Sequence, residues 1–158
     1  MTKHAFQIRS AHPQDAAQVL ECLHVAFVPY KHLYTPAAFA DTVLDSLTVG
    51  TRMQQMRVLV AASGDRVIGT VAGQGCSDGE GHLRGMAVLP DYQSTGVAQE
   101  LLAAIERWLK ANGCNRVTLD TTLPLERAMK FYERNGYKRS GHTADFFGMT
   151  LIEYEKNI

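Results

Sequence analysis

Cysteine is scarce in this 158-residue chain, and the three present (Cys22, Cys76 and Cys114) are widely spaced, with no C-x-x-C pair. An odd count at such spacing excludes a disulfide framework and reads as buried thiols in a reducing compartment. The cysteines and six histidines show no ligand spacing, so no metal is expected. Charge of one sign is also missing, with 16 Lys and Arg against 16 Asp and Glu. There is no global field to draw the chain to nucleic acid or an acidic membrane, and no basic–aromatic face for a nucleic-acid partner. No apolar run approaches the roughly 20 residues of a membrane span. The opening Met1-Thr2-Lys3-His4-Ala5-Phe6 has no signal-peptide core. A cytoplasmic protein without a membrane partner is the expectation. Repeats, low-complexity tracts and linkers are absent too, so residues 1–158 read as a single domain.

What is present is a clear alternation of elements. Phe6–Arg9 alternates like a short strand. Pro13 suits the first turn of a helix that carries Val19, Leu20, Leu23 and Phe27 on one face and closes at Pro29. Thr35-Pro36 starts a second helix with Phe39, Val43, Leu44 and Leu47 at helical spacing, and the pattern then fades from Thr48 to Gln55. Arg57–Ala62 and Val67–Gly73 are apolar runs joined by Ser63-Gly64-Asp65-Arg66, a hairpin signal. After the polar loop Ser77–Gly81, His82–Leu89 reads as a strand in which Gly85 marks a bulge or a close backbone approach. Val97, Leu101, Leu102, Ile105, Trp108 and Leu109 form a helical stripe that stops at Asn112-Gly113. Arg116–Thr121 is β-rich, Leu125–Asn135 is a shorter helix capped by Gly136, and Tyr137–Arg139 and Phe146–Tyr154 read as closing strands. This order predicts an α+β fold around one mixed sheet.

Chemistry concentrates first in Met86–Leu102. A strand ends there in a turn and the loop Gln93-Ser94-Thr95-Gly96-Val97-Ala98, a Q-x-x-G-x-A pattern that runs into a helix. A helix start offers unpaired N–H groups and the positive end of its dipole, which suits a phosphate or pyrophosphate. Gly96 lets the ligand approach the backbone closely. The loop is neither a dinucleotide fingerprint, which needs three glycines in another register, nor a P-loop, which needs Gly-Lys-Ser/Thr. By itself it fits an anion cradle and an ordinary strand-to-helix turn equally.

Downstream, Thr118-Leu119-Asp120 leads to Ala128-Met129-Lys130-Phe131-Tyr132-Glu133-Arg134-Asn135-Gly136-Tyr137, an A-x-x-F-Y-x-x-x-G-Y pattern. With the upstream Q-x-x-G-x-A loop and the opening strand and helix, the chain resembles the GCN5-related N-acetyltransferases (GNAT). That resemblance implies a mixed central sheet of about seven strands flanked by about four helices, with a splayed strand pair at the cofactor site. It implies acetyl-CoA as co-substrate: Met86, Ala87 and Val88 beside the pantetheine arm, Gln93 at the family's Gln/Arg position, and Ser94, Thr95, Gly96, Val97, Ala98 and Gln99 supplying N–H groups to the pyrophosphate. Many members carry Asn where this chain has Leu125.

Three residues are candidates for the catalytic chemistry. Tyr132 occupies the position of the family's acid for the departing thiolate. Its intrinsic pKa of about 10 exceeds the roughly 8.5 of a thiol, so it suits a hydrogen-bond donor or concerted acid. Asp120, unusual in a strand, is either a base or a strand-end acid bound to backbone or Arg116. His82 is either a base acting through water or a surface histidine beside Glu80. A backbone N–H between Gly85 and Ala87 could polarise the acetyl carbonyl. Tyr30, His32 and Tyr34 lie where the family builds its acceptor wall, and Phe146 and Phe147 lie where it builds the opposite one. These aromatics suit a pocket for a small-molecule amine, and equally packing or a homodimer surface.

The reading is an acetyl-CoA-dependent N-acetyltransferase that moves an acetyl group to a primary amine of a small molecule or amino acid. Two alternatives stand beside it: a protein or peptide N-acetyltransferase, and a non-catalytic acyl-CoA sensor.

Overall fold

Asp15 organises the first turn of the chain. The computed structural model, which describes residues 5–75 and 78–158, places its carboxylate 2.7 Å from Arg9 Nη1 on strand β1 (Gln7–Ser10). The same carboxylate accepts the His12 N–H at 2.7 Å, so strand end and helix start are tied together. Pro13 sits in a short 3-10 turn, and helix α1 follows at Ala16–Phe27 with Val19, Cys22 and Leu23 buried. Cys76, read from sequence as a core thiol, lies outside the described residues.

The predicted second helix is cut in two. Helix α2 (Pro36–Val43) begins on Thr35, whose hydroxyl accepts the Ala38 N–H, and ends where Leu44 takes a φ of 64°. Asp45 then accepts the N–H groups of Leu47 and Thr48 and starts α3 (Ser46–Gln55). Leu47, assigned to the apolar stripe, is 77% exposed. Val49 is the buried residue of α3, which is why hydrophobic spacing fades there. The cap and one anchor hold this helix, not an apolar stripe. Among the described residues the α-helices therefore number five, against the expected about four.

Strands β2 (Arg57–Ser63) and β3 (Arg66–Gly75) form the expected hairpin, and both are nearly continuous buried runs. Strand β4 (Glu80–Val88) starts two residues before the expected His82. Helix α4 (Val97–Ala111) buries Val97, Leu101, Leu102, Ile105 and Leu109. Each such side chain contributes about 1.5–3 kcal/mol relative to exposure. Trp108, counted with that stripe, is only partly buried and has the Arg57 guanidinium 5.4 Å over its ring. Strand β5 (Arg116–Thr122) and helix α5 (Glu126–Arg134) follow, with Gly136 at φ 92° just past the helix end.

The closing strands differ from expectation. Strand β6 runs Lys138–Phe146, β7 runs Met149–Asn157, and Phe147 and Gly148 turn between them with φ of 49° and 89°. Phe146 thus ends β6 instead of opening the last strand. Strand β6 is an exposed sheet edge with almost no buried residue, so it carries no alternation to read.

The seven strands make one sheet in the order β1-β2-β3-β4-β5-β7-β6. Neighbours are antiparallel except β4 and β5, which run parallel from Glu80↔Arg116 to Leu83↔Leu119. Beyond that pair the two strands separate. On its other side β4 slips register against β3, with Arg84 opposite Ala72 and Ala87 opposite Thr70. Gly85 and Met86 form the bulge, and Gly85 holds a φ of 63°. Such a bulge bends the strand and increases its twist. The sheet opens here.

Candidate active site

A cleft of about 440 Å³ occupies this opening. The strand walls are β4 from His82 to Val88 and β5 from Leu119 to Thr122. On the β5-facing side, the β4 backbone beyond Leu83 has no strand partner, so it can pair with an extended ligand. Met86, Ala87 and Val88, the residues expected beside the pantetheine arm, all line this stretch.

The loop before α4 forms one end. Gly96 is the helix N-cap at φ 92°, and no side chain caps the helix. The first helical donor to find its acceptor is Glu100, whose N–H reaches Gly96 O at 3.0 Å. The preceding N–H groups are the unpaired donors of a helix start, at the positive end of its dipole. Gln93, Ser94, Gly96, Ala98 and Gln99 line the cleft. Two expected loop residues differ: the Thr95 hydroxyl donates to Tyr92 O, and the Val97 side chain is buried in the core. These two can offer only backbone donors.

At the mid-cleft, His82 and Asp120 meet across the parallel pair. His82 Nδ1 lies 2.8 Å from Thr118 Oγ1, and Nε2 lies 3.5 Å from Asp120 Oδ2. Both side chains are about one-third exposed, 32% and 34%. Burial lowers the His82 pKa, against the pull of Asp120. Burial also raises the Asp120 pKa, and Glu153, its cross-strand neighbour on β7, adds to that rise. Both shifts favour the neutral imidazole and a more basic carboxylate. The alternative partner for Asp120, Arg116, is occupied by Glu80 and Glu155 and lies 3.6 Å from Glu153. Glu80 itself opens β4 and does not sit in a loop.

Tyr132 lines the same cleft from α5 and is 8% exposed. Its ring packs edge-on against Phe131 and Tyr137. Burial drives its pKa far above the ordinary phenol value, so the hydroxyl stays protonated.

The aromatic walls also converge. Tyr30, Tyr34 and Phe146 line the cleft, whereas His32 and Phe147 do not. Tyr34 Oη lies 2.7 Å from Thr122 Oγ1 on β5. The Thr35 hydroxyl donates to Phe147 O at 2.8 Å, joining the α2 start to the tip of the β6–β7 turn. The two walls touch at their rim.

Residues 19–137 match the family model described as the acetyltransferase (GNAT) family. The chain belongs to that family. Solved GNAT structures share its fold at low identity. A PaiA N-acetyltransferase from Thermoplasma acidophilum, in complex with coenzyme A, is 17% identical with a TM-score of 0.81, over 98% of this chain and 99% of that one. A GCN5-related N-acetyltransferase from Rhodopseudomonas palustris is 21% identical at 0.80, over 100% and 99%. A ribosomal-protein alanine N-acetyltransferase from Escherichia coli is 17% identical at 0.75, over 98% and 94%.

For a GNAT acetyltransferase, three residues of this cleft had no signal in the sequence. Arg127, on the first turn of α5, donates to Gln93 Oε1 at 2.8 Å and to Ser94 Oγ at 2.7 Å. It braces the loop before α4 from a helix that begins thirty residues later in the chain than the loop ends. Arg52 reaches the cleft from α3, and Arg84 from β4. Surface arginines at such spacing look like solvated charge until the chain folds. Leu125, at the family's usual Asn position, is the N-cap of α5 and lines the cleft with no capping side chain. Its N–H donates to Thr122 O at 3.0 Å, so the backbone alone shapes that corner.

Proposed function

We propose that this GNAT acetyltransferase transfers the acetyl group of acetyl-CoA to a primary amine of a small molecule or amino acid by direct attack on the thioester. The observation that carries this reading is the convergence of three features on one cleft: the unpaired β4 edge, the uncapped start of α4, and the His82–Asp120 pair opposite Tyr132. The residues fit acetyl-CoA: a Cβ-free, left-handed Gly96 with donors around it suits a pyrophosphate, and an unpaired strand suits an amide-bearing arm. Bound there, acetyl-CoA supplies the activated acyl group.

The protein's own contributions follow from position and charge. The backbone N–H groups at the Gly85–Met86 bulge polarise the thioester carbonyl, a contribution typically worth a factor of about 10²–10³. An alkylammonium acceptor, with a pKa near ~10, must lose a proton before it attacks. The His82–Asp120 pair accepts it, with Thr118 fixing the ring through Nδ1. The pair titrates as a unit rather than as two separate residues. As the N–C bond forms and the C–S bond breaks, Tyr132 donates a hydrogen bond to the departing sulfur. A thiolate is a weaker base than a buried tyrosinate, so the thiol takes its final proton from solvent.

The Thr35–Phe147 contact closes the rim and favours a small acceptor over a protein chain. The His82–Asp120 pair and Tyr132 favour an enzyme over a sensor. Saturation with acetyl-CoA at 100-fold over Kd stabilises by about 2.7 kcal/mol, expected as a rise in melting temperature of roughly 5–10 °C. Absence of any shift at millimolar acetyl-CoA overturns the reading. Tyr132→Phe is expected to lower kcat by about 10²–10³ with little change in KM for acetyl-CoA. Unaltered turnover removes Tyr132 from the mechanism.

A further inference from the structure

We infer that the acceptor carries a carboxylate close to its amine, and that Arg52 binds it. This inference rests on the acetyl-transfer reading and names the substrate class for that same site.

Arg52 projects from α3 into the cleft and is only partly exposed. Its guanidinium lies against the β4 bulge: a Cβ built on Gly85 would sit 2.5 Å from Arg52 Nη1. Gly85, with its positive φ and no side chain, leaves room for that contact. The neighbouring cation, Arg84, is balanced by Asp41 at 3.4 Å. The Arg52 guanidinium has no ion pair and no hydrogen bond among the described residues. Burial, followed by the charge of Arg84, lowers its pKa to about 10 while Asp41 opposes; it is still a cation at neutral pH. A partly desolvated, unpaired guanidinium at the foot of a ligand cleft is poised for an anion.

Its place decides which anion. The bulge holds the carbonyl that the amine attacks, so guanidinium and nucleophile act at the same residues of β4. An amine whose carboxylate stands one or two carbons away spans that distance. The planar fork of Arg matches a carboxylate in two parallel hydrogen bonds. A polyamine would meet repulsion from the same charge. A peptide N-terminus has an amide where the free amino acid has its carboxylate. The class is a free α- or β-amino acid.

The test measures thiol release from acetyl-CoA with glycine, the common L-amino acids and β-alanine, each beside its carboxamide. The best acid is expected to show a KM on the order of 100-fold below that of its amide. Arg52→Gln collapses this ratio towards one, and Arg52→Lys restores part of it. The melting-temperature rise with acetyl-CoA reports that each variant is folded. Equal acceptance of acids and amides, acetylation of no carboxylate-bearing amine, or a preference that survives Arg52→Gln overturns the inference. Loss of the acetyl-CoA shift in the unmodified protein instead overturns acetyl transfer itself, so the two failures are distinguishable.

Discussion

His82 Nε2 stands 3.5 Å from Asp120 Oδ2, at the point where the two parallel strands that carry them separate. The register His82↔Thr118 places Asp120 two residues further along β5, on the same face as Thr118. A histidine and an acid from distant parts of the chain therefore share one proton environment within the cleft. Burial pushes the imidazole below its ordinary value and the carboxylate above its own.

That pairing fixes the expected pH dependence. The pair must be deprotonated to accept the amine proton, so kcat rises with pH through the pair's apparent pKa. That midpoint is expected below the ordinary imidazole value, because burial lowers the His82 pKa. Asp120 raises the His82 pKa, so Asp120→Asn is expected to shift the acid limb downwards and to lower kcat by about 10²–10³. The measurement is a kcat–pH profile of both proteins. Identical limbs would remove the pair from the reaction.

Arg127 makes a separate prediction about the donor. Its two hydrogen bonds hold Gln93 and Ser94 in place, and Ser94 sits at a φ of 64°, uncommon for a residue with a Cβ. Arg127→Ala is expected to raise KM for acetyl-CoA about tenfold with a much smaller change in kcat, because the bond that is lost positions the anion loop and does not touch the reacting atoms. Steady-state kinetics at varied acetyl-CoA checks the split. A fall in kcat alone would contradict this role.

Stability at low pH is expected to follow Asp15. The hydrogen bond from Arg9, with help from the His12 N–H and the Arg9 charge, holds the Asp15 pKa below its ordinary value. The stabilisation is therefore complete above about pH 3.9 and is lost as pH falls through the lower, folded value. Asp15→Asn is expected to cost about 1.5–3 kcal/mol at neutral pH. Its urea midpoint should also vary less between pH 5 and pH 2 than that of the unmodified protein. Parallel pH curves would show that Asp15 is not the group responsible.

The elements with the strongest periodicity were the ones most legible in the sequence. Helix α4 buries five of the six residues of its stripe, because an amphipathic helix needs only its own spacing to declare a buried face. Helix α3 was not legible, since an Asp45 cap and a single buried valine hold it. Strand β6 was not legible either: it pairs through its backbone along an exposed edge, and backbone pairing leaves no mark on side-chain pattern.

The candidate site divides along the same line. The sequence by itself determined the family, the Q-x-x-G-x-A loop, Tyr132 and the strands that carry His82 and Asp120, because each is encoded within a short stretch of local chemistry. Only the tertiary structure decided that His82 faces Asp120, that Arg116 turns to three glutamates, that Arg127 braces the loop, and that Arg52 stands unpaired over Gly85. The physical reason is that a charged side chain takes its role from the partner it meets. In this fold those partners lie across strand registers and helix packings that no local pattern encodes.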